Sequence, residues 1–185
     1  MDVDPDAADD GGQPGKAGDA EPPEPRGVGR PTMAADAHLA LDPAICDWIV
    51  DRLDAVLDVI RSESGAVEPR IGRVSIRVVD DHAMDEAHRR WCDLPGTTDV
   101  LTFQSESEAG LEIDLLLCRD EAARRAADFE HGIDHKLLLY AVHGVLHCLG
   151  FDDHEDEARA RMHLEEDRLL SAVGVGAVYR PEGAS

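Results

Sequence analysis

The sequence predicts one α+β domain in which a small mixed sheet is packed by about five helices. Three patterns indicate this fold class. Residues 45–60 carry an apolar stripe at helical spacing, residues 72–80 alternate apolar and polar side chains, and residues 136–149 are apolar on nearly every face. With 185 residues and 43% hydrophobic content, the chain is large enough to fill a single core.

The elements follow a simple order along the chain. The short apolar patch from His38 to Leu41 predicts an edge strand, and a helix of about 20 residues begins at Asp42-Pro43. The other predicted segments are a strand at 72–80, a helix that ends near Trp91, strands at 98–104 and 111–118, and helices at 120–130, 136–149 and about 155–173. The strand at 111–118 is apolar enough to be central.

Short acidic side chains and glycines mark the predicted helix ends. Asp80 or Asp81 caps the second helix and Asp134 caps the buried one, because a carboxylate can accept hydrogen bonds from first-turn N–H groups. Gly132 is predicted to end the helix at 120–130, and Gly150 the buried helix.

An acidic segment precedes this domain. Residues 1–32 hold eight Asp or Glu against three Lys or Arg, with Pro and Gly among the rest. Such a segment buries too little apolar surface to offset the entropy of ordering, so we expect it to be disordered. The predicted organisation is a tail at 1–33, a domain at 34–175 and a C-terminal tail at 176–185.

Composition limits where the protein acts and what it binds. There is no basic leader followed by an apolar segment, and the longest apolar run, Leu137 to Val142, is too short to span a bilayer. The four cysteines contain no Cys-x-x-Cys pair, which indicates reduced thiols rather than disulfides. We therefore predict a cytoplasmic protein with no membrane partner.

Charge restricts nucleic-acid binding to a local surface. A net charge of -22 argues against a protein that binds polyanions over its whole surface. Arg73 and Arg77 fall on the predicted outer face of the strand at 72–80, and Arg89 and Arg90 lie near the end of the next helix. These four side chains are the candidates for a local positive field.

The buried helix carries the strongest chemical signal. His143 and His147 are four residues apart, so both imidazoles project from one face and can converge on one ion. A sharp turn at Gly150 would bring a third donor back, either Asp153 or His154. Three protein ligands leave a fourth position open for water, which is typical of a catalytic metal site.

Residue 144 separates two kinds of metal-dependent hydrolase. A zinc peptidase normally has Glu directly after the first histidine as general base, but this chain has Gly144. A peptidase would need another carboxylate, such as Asp114 or Asp152. A bound ion can still activate water and polarise a phosphoryl oxygen, which suits phosphodiester cleavage.

The segment from His143 to His154, His-Gly-Val-Leu-His-Cys-Leu-Gly-Phe-Asp-Asp-His, resembles the signature of the YbeY family. Members are metal-dependent endoribonucleases of ribosomal RNA maturation and ribosome quality control. Thr98 to Phe103 is similar to the family's Thr-Asp-Val-Leu-Ser-Phe strand, and Asp114 to Cys118 to its Gly-Asp-Ile-Val-Ile-Cys strand. Three further matches, in the closing helix, are Met162, Glu166 and Leu169.

The resemblance covers about residues 70 to 172 and implies both a fold and an activity. It implies a four-stranded mixed sheet with surrounding helices and one zinc ion at the end of the buried helix. It also implies cleavage of single-stranded ribosomal RNA in 3′-end maturation of 16S rRNA. The implied partners are ribosomal subunits, and DNA is not among them. The candidate catalytic residues are His143, Arg89, Arg90 and Asp114.

Three positions depart from the family pattern. Members space the ligands His-x3-His-x5-His, and strict register puts Asp153 third, whereas a one-residue bulge after Gly150 would place His154 there. The register favours Asp153, and both stay open. Cys92 stands where many members have Arg, so Arg89 and Arg90 would take over phosphate contact. The third departure is Ile113, which replaces a family glycine and removes the close backbone approach that a glycine allows.

Two other functions are compatible with these motifs. One is a zinc peptidase, which Gly144 disfavours. The other is a ribosome-assembly factor in which zinc braces the fold without catalysis. Activity on RNA against peptide substrates separates the first from an endoribonuclease, and copurification with ribosomal subunits without cleavage identifies the second.

Overall fold

Alternating apolar residues build a four-stranded sheet, and the helical stripes cover it. The computed structural model describes residues 30–64, 70–128 and 132–178, which contain five α-helices. The helices are α1 (Pro43–Ser64), α2 (Asp81–Cys92), α3 (Arg119–Asp128), α4 (Ile133–Cys148) and α5 (Asp156–Ala172). The strands are β1 (Thr32–Ala35), β2 (Ile71–Val79), β3 (Val100–Ser107) and β4 (Gly110–Cys118).

The sheet is mixed, with strand order β1-β2-β4-β3. The first three strands in that order are parallel, and β3 is antiparallel to β4. Because β3 is the last strand in the order, it is an edge strand of this sheet. Gly110 has a positive φ of 116° where the β3–β4 hairpin passes Arg70, and a Cβ there would overlap the Arg70 carbonyl oxygen. The predicted α+β class, the mixed sheet and the central position of β4 are confirmed.

The sheet has two unlike faces. The apolar face packs under α1 and α4 and carries Val74, Ile76, Val78, Val100, Ile113, Leu115 and Leu117. The polar face carries Arg73, Ser75, Arg77, Glu112 and Asp114, and α2 covers one end of it through Val79, Met84, Leu101 and Cys118. Alternation along each strand produces this division.

Helix α4 lies close against the apolar face because Gly144 lacks a side chain. A Cβ at residue 144 would lie 2.8 Å from Leu115 Cδ2, 3.1 Å from Thr102 Cγ2 and 3.2 Å from Val100 Cγ2. Any side chain larger than that of glycine would push the helix away from the sheet. The absence of Glu at this position therefore has a packing reason, and a peptidase-type general base would not fit there.

The prediction of an edge strand at 38–41 is wrong. His38 belongs instead to a 3₁₀ turn at Ala37–Leu39, where its Nε2 lies 2.8 Å from an oxygen of Asp80. The edge strand beside β2 is instead β1, which pairs with residues 75–78 of β2. It begins at Thr32, two residues before the predicted start of the domain. Residues 1–29 of the predicted tail and 179–185 lie outside the described residues.

The prediction that β2 has a basic outer face is also wrong. Arg73 is only 6% exposed and donates hydrogen bonds to Glu112 at 3.1 Å and Asp114 at 3.0 Å. Arg77 pairs with Asp36 at 2.9 Å. The alternation of β2 predicted the side on which these arginines lie, but the carboxylates of the neighbouring segments neutralise them. Arg73 and Arg77 do not supply a positive field.

Most helix boundaries follow the predicted caps. Asp80 caps α2 by accepting a hydrogen bond from the Ala83 N–H at 2.9 Å. The predicted cap of α4 is wrong, since Gly132 holds that position and the helix begins at Ile133. The described part of α3 ends at Asp128, so its predicted end at Gly132 cannot be compared.

Two further features bear on the environment of the chain. All four cysteines are free, as predicted: Cys46, Cys92, Cys118 and Cys148. Within the described ranges, none of the helices combines the length and hydropathy that crossing a bilayer requires.

Candidate metal site

Two histidines on the last turns of α4 point their Nε2 atoms at each other. His143 Nε2 and His147 Nε2 are 3.0 Å apart, and the two rings are nearly perpendicular, with 4.5 Å between centroids. Their spacing of four residues places them on one helix face. Two nitrogens that each lie about 2.0 Å from a tetrahedral ion are about 3.3 Å apart, so this pair has the geometry of two ligands.

The hydrogen bonds of the other ring nitrogens decide which atoms face the site. His143 Nδ1 donates to Glu166 Oε1 at 2.6 Å, and His147 Nδ1 donates to the backbone carbonyl of Phe151 at 3.1 Å. When both rings are neutral and carry their protons on Nδ1, the two Nε2 atoms present lone pairs to each other. Two facing acceptors cannot bond to one another, whereas a cation between them satisfies both.

The chain returns to this pair through the turn after α4. Gly150 has a φ of 91°, which a residue without Cβ adopts at low cost, and the Phe151 N–H then donates to the Leu146 carbonyl at 3.0 Å. This turn brings Asp153 to within 3.7 Å of His143 Nε2 and 3.8 Å of His147 Nε2. The ligand atoms of these three residues all lie within 4.8 Å of one another.

The structure brings Asp153 to the histidine pair and does not bring His154. The side chain of His154 is 86% exposed, and its Nε2 lies 3.8 Å from Asp152 Oδ1. Asp152 accepts hydrogen bonds from the backbone N–H groups of Asp153 and His154 at 2.8 and 3.1 Å, which holds the turn without a bulge. Asp152, Asp153 and His154 form a second, more exposed group of potential ligands.

Nearby carboxylates give the site a negative potential. Burial alone would lower the pKa of His143, but the hydrogen bond to Glu166 and the charges of Glu166, Asp99 and Asp153 outweigh it and raise the pKa. A field that favours the imidazolium also favours a bound cation. The donor set of two imidazoles and one carboxylate therefore fits a divalent metal ion, zinc in particular.

Glu166 contacts His143 from behind the site, although the sequence assigned it no role there. It is only 1% exposed, and its two carboxylate oxygens accept from His143 Nδ1 at 2.6 Å and His163 Nδ1 at 2.8 Å. The signal was present in the pattern of α5, because Glu166 is four residues after Met162 on the buried stripe of that helix. A charged residue on a buried stripe requires partners.

The other predicted catalytic residues have partners elsewhere in the structure. Asp114 is on the polar face, across the sheet from α4, where it accepts a hydrogen bond from Arg73, so the structure does not bring it to the histidines. Arg89 is exposed and pairs with Asp85 at 2.8 Å. The guanidinium of Arg90 lies 5.2 Å from the centroid of the Trp91 ring, at the end of α2.

The fold and the site define an α+β protein with a candidate single-ion centre at the end of a buried helix. The family model described as endoribonuclease YbeY matches residues 40–174. This match covers well over half of the chain, which therefore belongs to the YbeY family.

Several bacterial relatives share about two fifths of their aligned residues with this chain. The endoribonuclease YbeY of Streptomyces coelicolor is 38% identical over 58% of this chain and 74% of its own length. The protein of the same name from Mycobacterium tuberculosis H37Rv is 38% identical over 52% of this chain and 62% of its own. The Mycobacterium marinum protein is 37% identical, with shares of 62% and 72%. The solution structure of TM1509 from Thermotoga maritima covers 84% of this chain and 99% of its own, with 18% identity and a TM-score of 0.48.

Proposed function

We propose that this chain is a zinc-dependent endoribonuclease that cleaves single-stranded ribosomal RNA. In this proposal it acts in the cytoplasm on ribosomal subunits, in 3′-end maturation of 16S rRNA and in ribosome quality control. The observation that carries the proposal is the pair of Nε2 atoms 3.0 Å apart, both of which are acceptors when the rings are neutral and donate through Nδ1. Membership of a family named for endoribonuclease activity supplies the reaction class.

His143, His147 and Asp153 would hold the ion. Two nitrogen donors and one oxygen donor suit zinc better than magnesium or calcium, which prefer oxygen ligands alone. Three protein ligands leave a position for solvent or a phosphoryl oxygen, and the bound ion would supply Lewis-acid activation of both. The second carboxylate, Glu166, stays behind His143 and orients its ring.

RNA contact requires a surface near the site that is not acidic. The end of α2 offers Arg89, Arg90 and Trp91. Trp91 is 56% exposed, although its ring lies edge-on against the ring of Phe103 with 5.5 Å between the centroids. An exposed ring beside a guanidinium is suited to base stacking in single-stranded nucleic acid. Phe103 belongs to β3, the edge strand whose opposite side packs against Gly144, next to His143. A single strand that crosses this edge would reach both places.

The decisive test removes one proposed ligand and, as a matched control, a neighbouring histidine. We expect His147→Ala to lower zinc affinity by at least about 100-fold, since even outer partners of metal ligands contribute 10–100-fold, and to abolish RNA cleavage. His154→Ala should retain both, because its side chain is exposed. Zinc affinity by chelator competition and cleavage of a labelled single-stranded RNA are the measurements.

The outcomes separate the alternatives. Cleavage that persists after zinc removal contradicts the mechanism. A loss of zinc in His154→Ala, with zinc retained in Asp153→Ala, would identify His154 as the third ligand. Zinc retention and copurification with ribosomal subunits, with no cleavage of any RNA, identify a non-catalytic assembly factor.

A further inference from the structure

The buried carboxylate of Glu166 links the candidate metal site to a second histidine, His163. We propose that Glu166 is a positioning residue that keeps the proton of His143 on Nδ1, and that His163 holds Glu166 in the required orientation. The proposal rests on the proposed metal site, where His143 must present a bare Nε2. Glu166 does not itself reach the site, because both of its oxygens are engaged by Nδ1 atoms.

The geometry leaves the carboxylate little freedom. Glu166 is 1% exposed and sits on the stripe of α5 that also buries Met162, Leu169 and Leu170. Its oxygens lie 2.6 Å from His143 Nδ1 and 2.8 Å from His163 Nδ1. His163 is on the same helix, three residues earlier, and its side chain is 20% exposed, so the network extends from the site to the protein surface.

Chemistry makes this bridge specific for a carboxylate. An ionised carboxylate has two acceptor oxygens, so it can accept from both Nδ1–H groups at once. A carboxamide has only one acceptor oxygen, and its NH₂ group must face an acceptor. Glu166→Gln therefore forces the two histidines to compete for one oxygen. If His143 loses that competition, its proton moves to Nε2 and blocks metal binding.

This competition predicts a rescue that a merely structural role would not produce. Glu166→Gln should weaken zinc binding 10–100-fold, the usual effect of losing a partner of a metal ligand. His163→Ala should weaken it less, because Glu166 can still accept from His143. In the double variant the amide oxygen is left to His143, so part of the affinity lost in Glu166→Gln should return.

The experiment uses the full chain, with zinc affinity from chelator competition and the visible spectrum of the Co²⁺ form as readouts. The control is Glu165→Gln, which changes a neighbouring carboxylate that pairs with Arg168 and should leave both readouts unchanged. Wild-type affinity in Glu166→Gln overturns the proposal, and so does a double variant that shows the summed losses of the single variants.

A second measurement needs no variant and no metal. In the metal-free protein, at a pH above the pKa of His143, the imidazole ¹⁵N shifts should show the proton of His143 on Nδ1. A proton on Nε2 overturns the proposal even if the protein binds zinc. Conversely, an Nδ1 proton in a protein that takes up no metal would contradict the proposed function but leave the positioning role of Glu166 intact.

Discussion

The two faces of the sheet contain polar groups of different kinds. On the polar face, the guanidinium of Arg73 is buried between the carboxylates of Glu112 and Asp114, which neutralise its charge. Beyond the apolar face, His143 and His147 lie at the end of α4 with their Nδ1 atoms satisfied and their Nε2 atoms aimed at each other. The comparison teaches that polar groups paired with opposite charges maintain the fold, whereas two facing acceptors with no donor between them mark a binding site.

The largest effect on stability should come from breaking the ion pairs of Arg73. Arg73→Met leaves Glu112 and Asp114 without their partner, and we expect a loss of about 3 kcal/mol in the free energy of unfolding, at the lower end for a broken buried pair because both carboxylates are partly exposed. Urea denaturation measures it. Zinc affinity should not change, since these groups lie on the other face.

Arg73→Met also has an internal control. Adding Asp114→Asn removes one of the stranded charges, so the double variant should be more stable than Arg73→Met alone. A fall in zinc affinity that accompanies the loss of stability would contradict the separation of the two faces.

A smaller effect is expected where α4 touches the apolar face. Gly144→Leu inserts a side chain where even a Cβ would lie 2.8 Å from Leu115, and we expect destabilisation of about 2 kcal/mol. Zinc affinity should fall with it, because a displaced helix moves His143 relative to Asp153. Ala123→Leu, at an exposed position of α3, is the matched control and should leave thermal stability and zinc affinity unchanged.

The smallest effect concerns the cap that holds α2 over the polar face. Hydrogen bonds from the Ala83 N–H and from His38 lower the pKa of Asp80 in the folded protein. The stabilisation is therefore present above the unfolded pKa of about 3.9 and is lost as the pH falls through the lower folded value. Asp80→Ala should cost about 1 kcal/mol at neutral pH.

The difference between wild type and Asp80→Ala should then shrink below about pH 4, which urea unfolding at several pH values can follow. Asp58→Ala, which removes an exposed carboxylate paired with Arg61, should cost less than about 0.5 kcal/mol. A cost that stays constant down to pH 2 would show that the carboxylate charge of Asp80 does not matter.

Local patterns were sufficient for the helices, for most strands and for the histidine pair. The stripe of α1, the alternation of β2 and the apolar run of α4 each reflect interactions within a short segment, so their positions were predictable. His143 and His147 share a helix face for the same reason. The edge strand was not predictable, because any short segment that can reach the free side of β2 can pair there.

The sequence alone determined the fold class, the buried helix with its two histidines and the turn at Gly150, since these follow from backbone periodicity and from the conformational freedom of glycine. Only the tertiary structure decided that Asp153 rather than His154 turns toward the pair, that Glu166 lies behind His143, and that Arg73 is neutralised. Each of these depends on which group from a separate segment a side chain meets. Spacing along one segment indicates the side on which a residue lies, but it does not identify that partner.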